Sequence, residues 1–392
     1  MNRYLMIGTY LPTRCGIATF SADLRDGLLA QGEEVRIAAV ADSSYLYPSE
    51  VVCRIKRDRR SDYTECADWI NKSPDIDMVL IQHEYGIFGG ADGEYILDLA
   101  ARLRKPSLLI AHTVLPRPSA HQQEVLLRLA DYAAGVVCMT FRAREILLGP
   151  VYNLFPTKVH VIPHGVPSFQ PKDRDVLKRQ HGFQGRRIIT TFGLIGPGKG
   201  LEIGIRALSR IADKYPNCIY IIAGGTHPNL LRFEGERYRE EVTRLVSDLG
   251  LQDRILFVNR FLEFEELEDY LFMTDIYLSP YPNLDQAVSG TLSFAVGCGK
   301  AVVATPYEHA RELLDLGRGL VAPDTSPEAL AGLLDKVLGD PGLQASLEER
   351  AWEYGQSLTW NSVAGYYSEV ASGMVKASRF NAFQGEKNKR GL

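Results

Sequence analysis

Residues 187–208 of the chain read RIITTFGLIGPGKGLEIGIRAL, and this stretch decides the fold class. The apolar run at residues 187–192 has the length and composition of a buried β-strand, and residues 201–208 have the pattern of a helix. A glycine-rich loop at residues 193–200 joins them. A strand, a glycine-rich loop and a helix in succession are typical of a doubly wound parallel sheet, so the predicted fold class is α/β.

Short apolar runs alternate with helical stretches along the rest of the chain, which is the pattern of parallel α/β sheets. A polar segment near residues 165–185 separates the runs into two series. The first series is YLMIG, VRIAAVA, MVLIQ, SLLIA, GVVCM and VHVIP, and the second is RIITTFG, CIYIIAGG, RILFVN, DIYLSP and AVVATP. Two series predict two doubly wound domains, and the cleft between them is the expected ligand site because such sheets bind ligands at the carboxyl ends of their strands.

The expected domains are residues 1–166 and residues 167–357. The segment LTWNSVAGYYSEVASGMVKAS, residues 358–378, predicts a helix, and residues 379–392 are expected to form a polar tail. A chain of 392 residues has the length for two such domains.

The composition excludes several classes of protein. With 45% apolar and 23% charged residues, the chain is neither disordered nor collagen-like. A net charge of -4 argues against a general affinity for nucleic acid. The six cysteines form no C-x-x-C pair, which predicts reduced thiols and a cytoplasmic location. Neither a signal peptide nor a transmembrane helix is expected, because no apolar run is long enough.

The loop at residues 193–200 is the first candidate anion site. Gly196, Gly198 and Lys199 combine free backbone N–H groups with a cation in front of a helix, which suits a phosphate group. Two other interpretations remain open. Gly193 to Lys199 matches the P-loop pattern G-x-x-x-x-G-K, although Gly200 stands where a P-loop has Ser or Thr to hold magnesium. The segment could also be a tight turn with a solvated lysine.

The segment NLDQAVSGT, residues 283–291, is the second candidate anion site. Ser289 suits the N-cap of the apolar helix that follows, and Gly290 and Thr291 would then present backbone N–H groups at its positive end. The alternative is an ordinary capped core helix.

Three segments of the first half place polar residues at the expected ligand-binding edge. Arg14 and Gly16 follow the first strand, and Gly16 would let a ligand approach the backbone closely. His83 and Glu84 end the strand MVLIQ, where polar side chains favour a substrate-facing role. His112 ends the strand SLLIA and is expected to face the cleft. The alternatives are a simple turn at Gly16 and a structural histidine at position 112.

Taken together, these motifs resemble the retaining glycosyltransferases of family 4, and more closely the bacterial members described as mannosyltransferase-like. The resemblance covers nearly the whole chain. It rests on the loop after the first strand, on His112 and on VHVIPHGV, FGLIGPGKG, ILFVNRFLEFEEL, GCGKAVVATP and WNSVAGYYSEV. It implies the GT-B architecture, in which two Rossmann-like domains face each other across a cleft and the C-terminal helix packs on the first domain.

The resemblance also implies an activity. A GDP- or UDP-linked sugar, with mannose as the first expectation, would be transferred with retention of configuration to a hydroxyl of a glycan, lipid or small acceptor. Neither a cofactor nor a metal ion is implied, because Lys199 would neutralise the donor diphosphate. His112 would contact the donor sugar, and Gln286 falls at the position of a family glutamate beside that sugar. The catalytic candidates are therefore Lys199, His112 and Gln286. The donor-binding candidates are Gly16, Gly196, Gly198, Arg260, Phe261, Ser289, Gly290 and Thr291. The acceptor-side candidates are Arg14, His83 and Glu84.

Three positions depart from the family pattern. Leu194 replaces an arginine of the first anion site, and Gln286 replaces a glutamate beside the donor sugar. Phe294 replaces the glutamate expected on the donor ribose, and a phenyl ring accepts no hydrogen bond. Asp285 or Glu308 is a candidate substitute for the lost carboxylate.

These departures keep other functions open. One alternative is a nucleotide-sugar-binding protein without turnover, and another is a phosphorylase or epimerase of the same architecture. Peripheral contact with the inner face of a membrane is a further candidate property, because residues 54–60 are basic and residues 146–155 are apolar within one domain. The alternative there is a solvated loop and a core helix. The oligomeric state is not predicted.

Overall fold

The computed structural model describes residues 1–41 and 45–390, with side chains for all of these except 229, 379 and 381–390. The chain divides into two compact units, and each is built on a parallel β-sheet covered by helices. The first unit comprises Met1–Gly165 and Trp360–Leu392, and the second is Val166–Thr359. The predicted fold class, with two doubly wound α/β domains, is confirmed.

The first unit has a seven-stranded sheet. Its strands are β1 (Arg3–Gly8), β2 (Glu34–Ala41), β3 (Val51–Lys56), β4 (Met78–His83), β5 (Ser107–Ala111), β6 (Gly135–Cys138) and β7 (Val159–Val161). Its helices before the second unit are α1 (Gly16–Ala30), α2 (Arg60–Lys72), α3 (Ile96–Ala100), α4 (Ala120–Tyr132) and α5 (Phe141–Leu148). The strand order is β3-β2-β1-β4-β5-β6-β7, and every neighbouring pair is parallel.

The second unit has a six-stranded sheet. Its strands are β8 (Arg187–Phe192), β9 (Cys218–Ala223), β10 (Ile255–Val258), β11 (Ile276–Ser279), β12 (Ala301–Ala304) and β13 (Leu320–Val321). Its helices are α6 (Arg174–Gln180), α7 (Leu201–Ile211), α8 (Pro228–Glu234), α9 (Arg237–Asp248), α10 (Phe264–Met273), α11 (Gly290–Gly297), α12 (Glu308–Leu313), α13 (Pro327–Gly339) and α14 (Pro341–Ser357). The order β10-β9-β8-β11-β12-β13 is again all parallel, so the loops after β8 and β11 leave the sheet side by side.

Helix α15 (Trp360–Arg390) returns the chain to the first unit and packs against α1. A Cβ atom at Gly27 of α1 would lie 2.7 Å from the carbonyl oxygen of Trp360, so the missing side chain allows the close approach. Helix α15 continues through the expected polar tail as far as residue 390. Residues 391–392 lie outside the described part of the chain.

Two strands were not predicted from the sequence. The first, β3, pairs only with β2 at the edge of its sheet, and its exposed positions alternate with less exposed ones, so it lacks the continuous apolar run of a central strand. The second, β13, has only two residues. The central strands match the prediction: all six residues of β4 are buried, as expected for a strand covered on both faces.

The combined basic and apolar patch expected near residues 54–60 and 146–155 does not form. The basic residues lie at β3 and the start of α2, whereas α5 packs on β6 and β7 at the opposite edge of the sheet. Leu147 is fully buried, while Phe155 is exposed. No helix in the described part of the chain is both long enough and apolar enough to cross a bilayer.

Candidate functional site

The two candidate anion loops of the second unit come together. Lys199 closes the loop after β8, and its Nζ lies 2.5 Å from Oη of Tyr281, which follows β11. The same Nζ lies 3.5 Å from Oγ1 of Thr291 in the first turn of α11. The contact forms because β8 and β11 are parallel neighbours whose carboxyl ends share one edge of the sheet. Lys199 is therefore bound within the site, which disagrees with the interpretation as a solvated turn lysine.

Ser289 caps α11 as the sequence predicts. Its Oγ accepts a hydrogen bond from the backbone N–H of Leu292 at 3.3 Å, and its own N–H donates to Nδ1 of His309 at 2.8 Å. The N–H groups of Gly290 and Thr291 have no intrahelical acceptor, as at any helix start. The positive end of the helix dipole and the Lys199 ammonium thus meet at one place, which favours an anion.

Tyr281 is a member of this cluster that the sequence analysis missed. Its Oη lies 2.8 Å from Oγ1 of Thr291 and accepts a hydrogen bond from Oγ of Ser289 at 3.2 Å. Its ring stacks on Tyr307 with centroids 5.0 Å apart. Burial raises the pKa of Tyr281, but the Lys199 ammonium and the hydroxyl donors outweigh burial, and the net pKa lies below the usual value. Its position directly after the strand DIYLSP was the signal in the sequence.

Two glycines allow the backbone of this site to pack closely. Gly200 has φ +59°, and a Cβ atom there would lie 2.1 Å from the carbonyl oxygen of Pro280. Gly224 has φ +149°, and its Cβ would lie 1.8 Å from the carbonyl oxygen of Gly193. A side chain at Gly200 would push apart the loops that carry Lys199 and Tyr281, and one at Gly224 would push the loop after β9 away from the loop after β8.

Arg260 and Phe261 lie in the loop after β10. The Arg260 guanidinium forms an exposed ion pair with Glu266, with Nη1 2.6 Å from Oε2, so its charge is already paired. The backbone N of Phe261 lies 3.5 Å from the Cβ position of Gly225, which brings this loop beside the loop after β9.

Arg239 fixes these two loops and carried no signal in the sequence. It is buried, its Nη2 donates to the carbonyl oxygen of Gly224 at 3.0 Å, and its Nη1 donates to Oδ1 of Asn259. Its Nε lies 3.1 Å from Oε2 of Glu236. We infer that Arg239 holds the loops after β9 and β10 in place and does not bind a ligand, because its guanidinium N–H groups donate to acceptors of the protein.

The three departures from the family pattern have definite surroundings. Phe294 packs in an aromatic cluster, with ring centroids 6.0 Å from Phe169 and 6.3 Å from Phe192. Gln286 turns its amide toward its own loop, and Nε2 donates to the carbonyl oxygen of Val288 at 2.7 Å. Leu194 is half-buried in the loop after β8.

The two candidate substitutes for the lost carboxylate lie beside this loop. Asp285 and Glu308 are half-buried, and the backbone N–H of Glu308 donates to the carbonyl oxygen of Leu284 at 3.0 Å.

The remaining glycines among the donor-binding candidates differ in their surroundings. A Cβ atom at Gly196 would lie 2.6 Å from Cδ1 of Leu230, while no heavy atom lies within 4 Å of the Cβ positions at Gly198 and Gly16. Gly16 and Arg14 are exposed at the start of α1 in the first unit. The space beside the backbone of Gly16 and of Gly198 is open.

In the first unit, His112 and Gln82 meet at the carboxyl ends of β5 and β4. Nε2 of His112 lies 2.6 Å from Oε1 of Gln82. The His112 ring also contacts the edge of Phe20, with centroids 4.7 Å apart. Burial lowers the pKa of His112 to about 3, with smaller contributions from His164 and His83, so the imidazole is neutral at physiological pH.

His83 and Glu84 occupy different environments. The His83 side chain is fully buried, and neither ring nitrogen has a hydrogen-bond partner among the described residues. Burial lowers its pKa to about 4. Glu84 accepts a hydrogen bond from Oγ1 of Thr113 and another from the backbone N–H of Tyr85 at 3.0 Å. Burial raises the pKa of Glu84 above its usual value.

Comparison with known proteins shows that the second unit matches a family model. Residues 173–354 match the model of the family described as glycosyl transferases group 1. Alpha-D-kanosaminyltransferase of Streptomyces kanamyceticus is 25% identical over 252 residues, which cover 61% of each chain. GDP-mannose-dependent alpha-(1-6)-phosphatidylinositol monomannoside mannosyltransferase of Mycolicibacterium smegmatis is 27% identical over 228 residues, or 55% of this chain and 56% of that one. The aligned part thus spans about three-fifths of these curated relatives.

The fold has close structural relatives as well. Sucrose-phosphate synthase from Thermosynechococcus elongatus superposes with a TM-score of 0.80 at 16% identity, covering 96% of this chain and 100% of that one. Residues 173–354 are therefore a glycosyl transferases group 1 domain, within a chain that has the two-unit α/β fold of GT-B glycosyltransferases.

Proposed function

We propose that the protein is a retaining glycosyltransferase that needs no metal ion or cofactor. It transfers a sugar, mannose in the first instance, from a GDP- or UDP-linked donor to a hydroxyl of a glycan, lipid or small acceptor. The observation that carries this proposal is the meeting of the Lys199 ammonium with the N-terminus of α11. The six free cysteines support a reducing, cytoplasmic compartment.

The chemistry follows from the charge of the leaving group. When the bond between the anomeric carbon and the phosphate oxygen breaks, the nucleoside diphosphate gains negative charge. Lys199 and the N–H groups of Gly290 and Thr291 stabilise that charge, because fixed donors and a fixed cation need no reorganisation during the reaction. The acceptor hydroxyl attacks from the face that the diphosphate leaves, and its proton passes to the departing phosphate oxygen. The configuration is retained without a protein nucleophile.

In the first unit, polar side chains at the carboxyl ends of the strands are the candidates for binding sugar hydroxyls. In the bond to Gln82, the neutral His112 imidazole donates from Nε2, which leaves Nδ1 to accept from a sugar hydroxyl. Glu84, a partly enclosed carboxylate, suits a hydroxyl of the acceptor, with Arg14 exposed on the neighbouring loop. Mannose is the preferred donor sugar because the Mycolicibacterium smegmatis relative is named as GDP-mannose-dependent.

The test is a transfer assay with GDP-mannose, UDP-glucose and UDP-N-acetylglucosamine against a panel of glycan and lipid acceptors. Reactions run with a chelator and with added Mg²⁺, and NMR of the product reads its anomeric configuration. The proposal expects an α-linked product from an α-linked donor at equal rates in both conditions. An inverted product or a strict need for Mg²⁺ would contradict the mechanism, and donor binding without hydrolysis or transfer would favour the binding-protein alternative.

A further inference from the structure

The Tyr281 hydroxyl is shared by three groups of the candidate donor site. Its Oη lies 2.5 Å from Nζ of Lys199, 2.8 Å from Oγ1 of Thr291 and 3.2 Å from Oγ of Ser289. The Tyr281 side chain is 4% exposed, so these contacts form away from bulk solvent. Each partner belongs to the anion site formed by Lys199 and the start of α11.

Core packing does not account for this hydroxyl. The Tyr281 ring already packs on Tyr307, and a phenylalanine would fill the same space. The Lys199 ammonium also lies 4.7 Å from the centroid of the Tyr281 ring, which is within reach of a cation–π contact. The tyrosine thus holds a long, flexible side chain through both its ring and its hydroxyl.

Holding the lysine in advance has a defined benefit. A free lysine side chain loses rotamer freedom when it binds an anion, and that loss weakens binding. A lysine that is already ordered at the N-terminus of α11 loses less, so the same contact with phosphate gives tighter binding.

We propose that Tyr281 is a positioning residue for Lys199. Its hydroxyl holds the ammonium at the start of α11 before the donor binds, and the ammonium passes to the diphosphate of the donor when it arrives. The proposal rests on the proposed function, since it assumes that a nucleoside diphosphate occupies this site.

The pairing also links donor affinity to pH. The groups that face Tyr281 are Lys199, the stacked Tyr307 and Tyr277, while His309 acts through the backbone of Ser289. Burial raises the pKa of Tyr307 and of Tyr277 well above the usual value, so both stay neutral. The net pKa of Tyr281 is lowered, so deprotonation of Tyr281 at alkaline pH would give a phenolate that neutralises Lys199. Donor affinity therefore falls as pH rises through the Tyr281 titration.

The test is calorimetric titration of UDP and of GDP into four forms of the full chain: wild type, Tyr281→Phe, Lys199→Ala and the double variant. Tyr220→Phe is the matched control, because it removes another buried hydroxyl of the same unit, which bonds to Thr191 at 2.7 Å and not to Lys199. Circular dichroism and thermal unfolding check that each variant folds. Titrations at about pH 7 and about pH 9 compare donor affinity near neutrality with affinity at alkaline pH, toward which the lowered pKa of Tyr281 favours the phenolate.

At the lower pH we expect the dissociation constant to rise about tenfold in Tyr281→Phe, the size expected for loss of a hydrogen bond to a charged group, and to stay unchanged in Tyr220→Phe. Tyr281→Phe should have no further effect once Lys199 is alanine, because it acts through the ammonium. The fall in affinity toward the higher pH should be smaller in Tyr281→Phe than in the wild type.

Three results would overturn the proposal. The first is a folded Tyr281→Phe variant with unchanged nucleotide affinity and pH profile. The second is an equal loss of affinity from Tyr281→Phe whether residue 199 is lysine or alanine, and the third is a tenfold loss of affinity in Tyr220→Phe as well. If the wild type and Lys199→Ala bind neither nucleotide, the proposed function fails together with this inference. If Lys199→Ala abolishes the binding seen in the wild type while Tyr281→Phe does not alter it, only this inference fails.

Discussion

His112 and Gln82 form a pair in which Nε2 of the half-buried imidazole lies 2.6 Å from Oε1 of the buried amide. Burial lowers the pKa of His112 to about 3, so the ring is neutral and carries one proton. Because an amide oxygen only accepts, the hydrogen bond to Oε1 of Gln82 assigns that proton to Nε2. The amide therefore selects the tautomer of the histidine and leaves Nδ1 as an acceptor. A neutral acceptor suits a sugar hydroxyl better than it suits a phosphate.

Replacing His112 by alanine should separate turnover from nucleotide binding. We expect the rate of sugar transfer to fall by about a hundredfold, the range for a lost group at the reacting sugar, while UDP or GDP binding to the second unit is retained. Steady-state assays and calorimetry measure the two effects. His160→Ala, which removes an imidazole from the edge strand β7, is the control and should transfer at the wild-type rate. Equal activity of the two variants would remove His112 from the site.

Buried neutral histidines should make the chain less stable in mild acid. Burial lowers the pKa of His83 to about 4, below the usual value of 6.5. Between these two pH values His83 is protonated in the unfolded state and neutral in the folded state. The stability contribution is complete above the unfolded pKa and is lost as pH falls toward the folded one, by up to about 1.4 kcal/mol per pH unit. Thermal unfolding between about pH 7 and about pH 5 measures the slope. His83→Leu should flatten it, and a slope identical to that of the wild type would contradict the assignment.

Gly200 should tolerate substitution much less well than Gly198 of the same loop. Gly200→Ala places a Cβ atom 2.1 Å from the carbonyl oxygen of Pro280 at φ +59°, so we expect a loss of about 2 to 3 kcal/mol in the unfolding free energy. Gly198→Ala is the matched control, since nothing lies within 4 Å of its Cβ position. Urea unfolding compares the two. Similar midpoints for both variants would show that the close approach to Pro280 is absent in solution.

The sequence pattern predicted the loops of the candidate site better than the contacts between them. Lys199 was predicted because it lies in a glycine-rich loop, and Ser289 was predicted because it is an N-cap residue in front of an apolar helix. Tyr281 was missed because its role depends on β8 and β11 being neighbours, which strands far apart in sequence do not reveal. Arg239 was missed because a buried arginine that bonds to two loops looks like any helical surface arginine in the sequence.

The fold shows the same division between local and long-range information. The apolar runs of central strands such as β4 predict them directly, because both faces of a parallel sheet are covered. The edge strand β3 has partly exposed, basic positions and resembles a loop in composition. The expectation that residues 54–60 and 146–155 form one patch was wrong for a related reason. Two segments of one domain can lie at opposite edges of its sheet, and only the strand order shows where each one lies.

Restoring the family glutamate at Phe294 should harm the protein rather than improve it. The ring packs 6.0 Å from Phe169 and 6.3 Å from Phe192, so Phe294→Glu would put a carboxylate against aromatic rings. We expect a loss of about 3 kcal/mol in the unfolding free energy, against about 1 kcal/mol for Phe294→Leu. Chemical denaturation of both variants measures the difference. A stable Phe294→Glu variant with tighter nucleotide binding would instead place this position on the donor.

The central claim is that Lys199 and the N-terminus of α11 hold the diphosphate of a nucleotide sugar. The most direct measurement is calorimetric titration of UDP, GDP and ADP, without magnesium, into the wild type, Lys199→Ala and Lys214→Ala, an exposed lysine of the same unit that pairs with Asp335. The account predicts that the wild type and Lys214→Ala bind one nucleotide equally and that Lys199→Ala loses at least about tenfold in affinity. Binding that is indifferent to Lys199, or that needs magnesium, would contradict it.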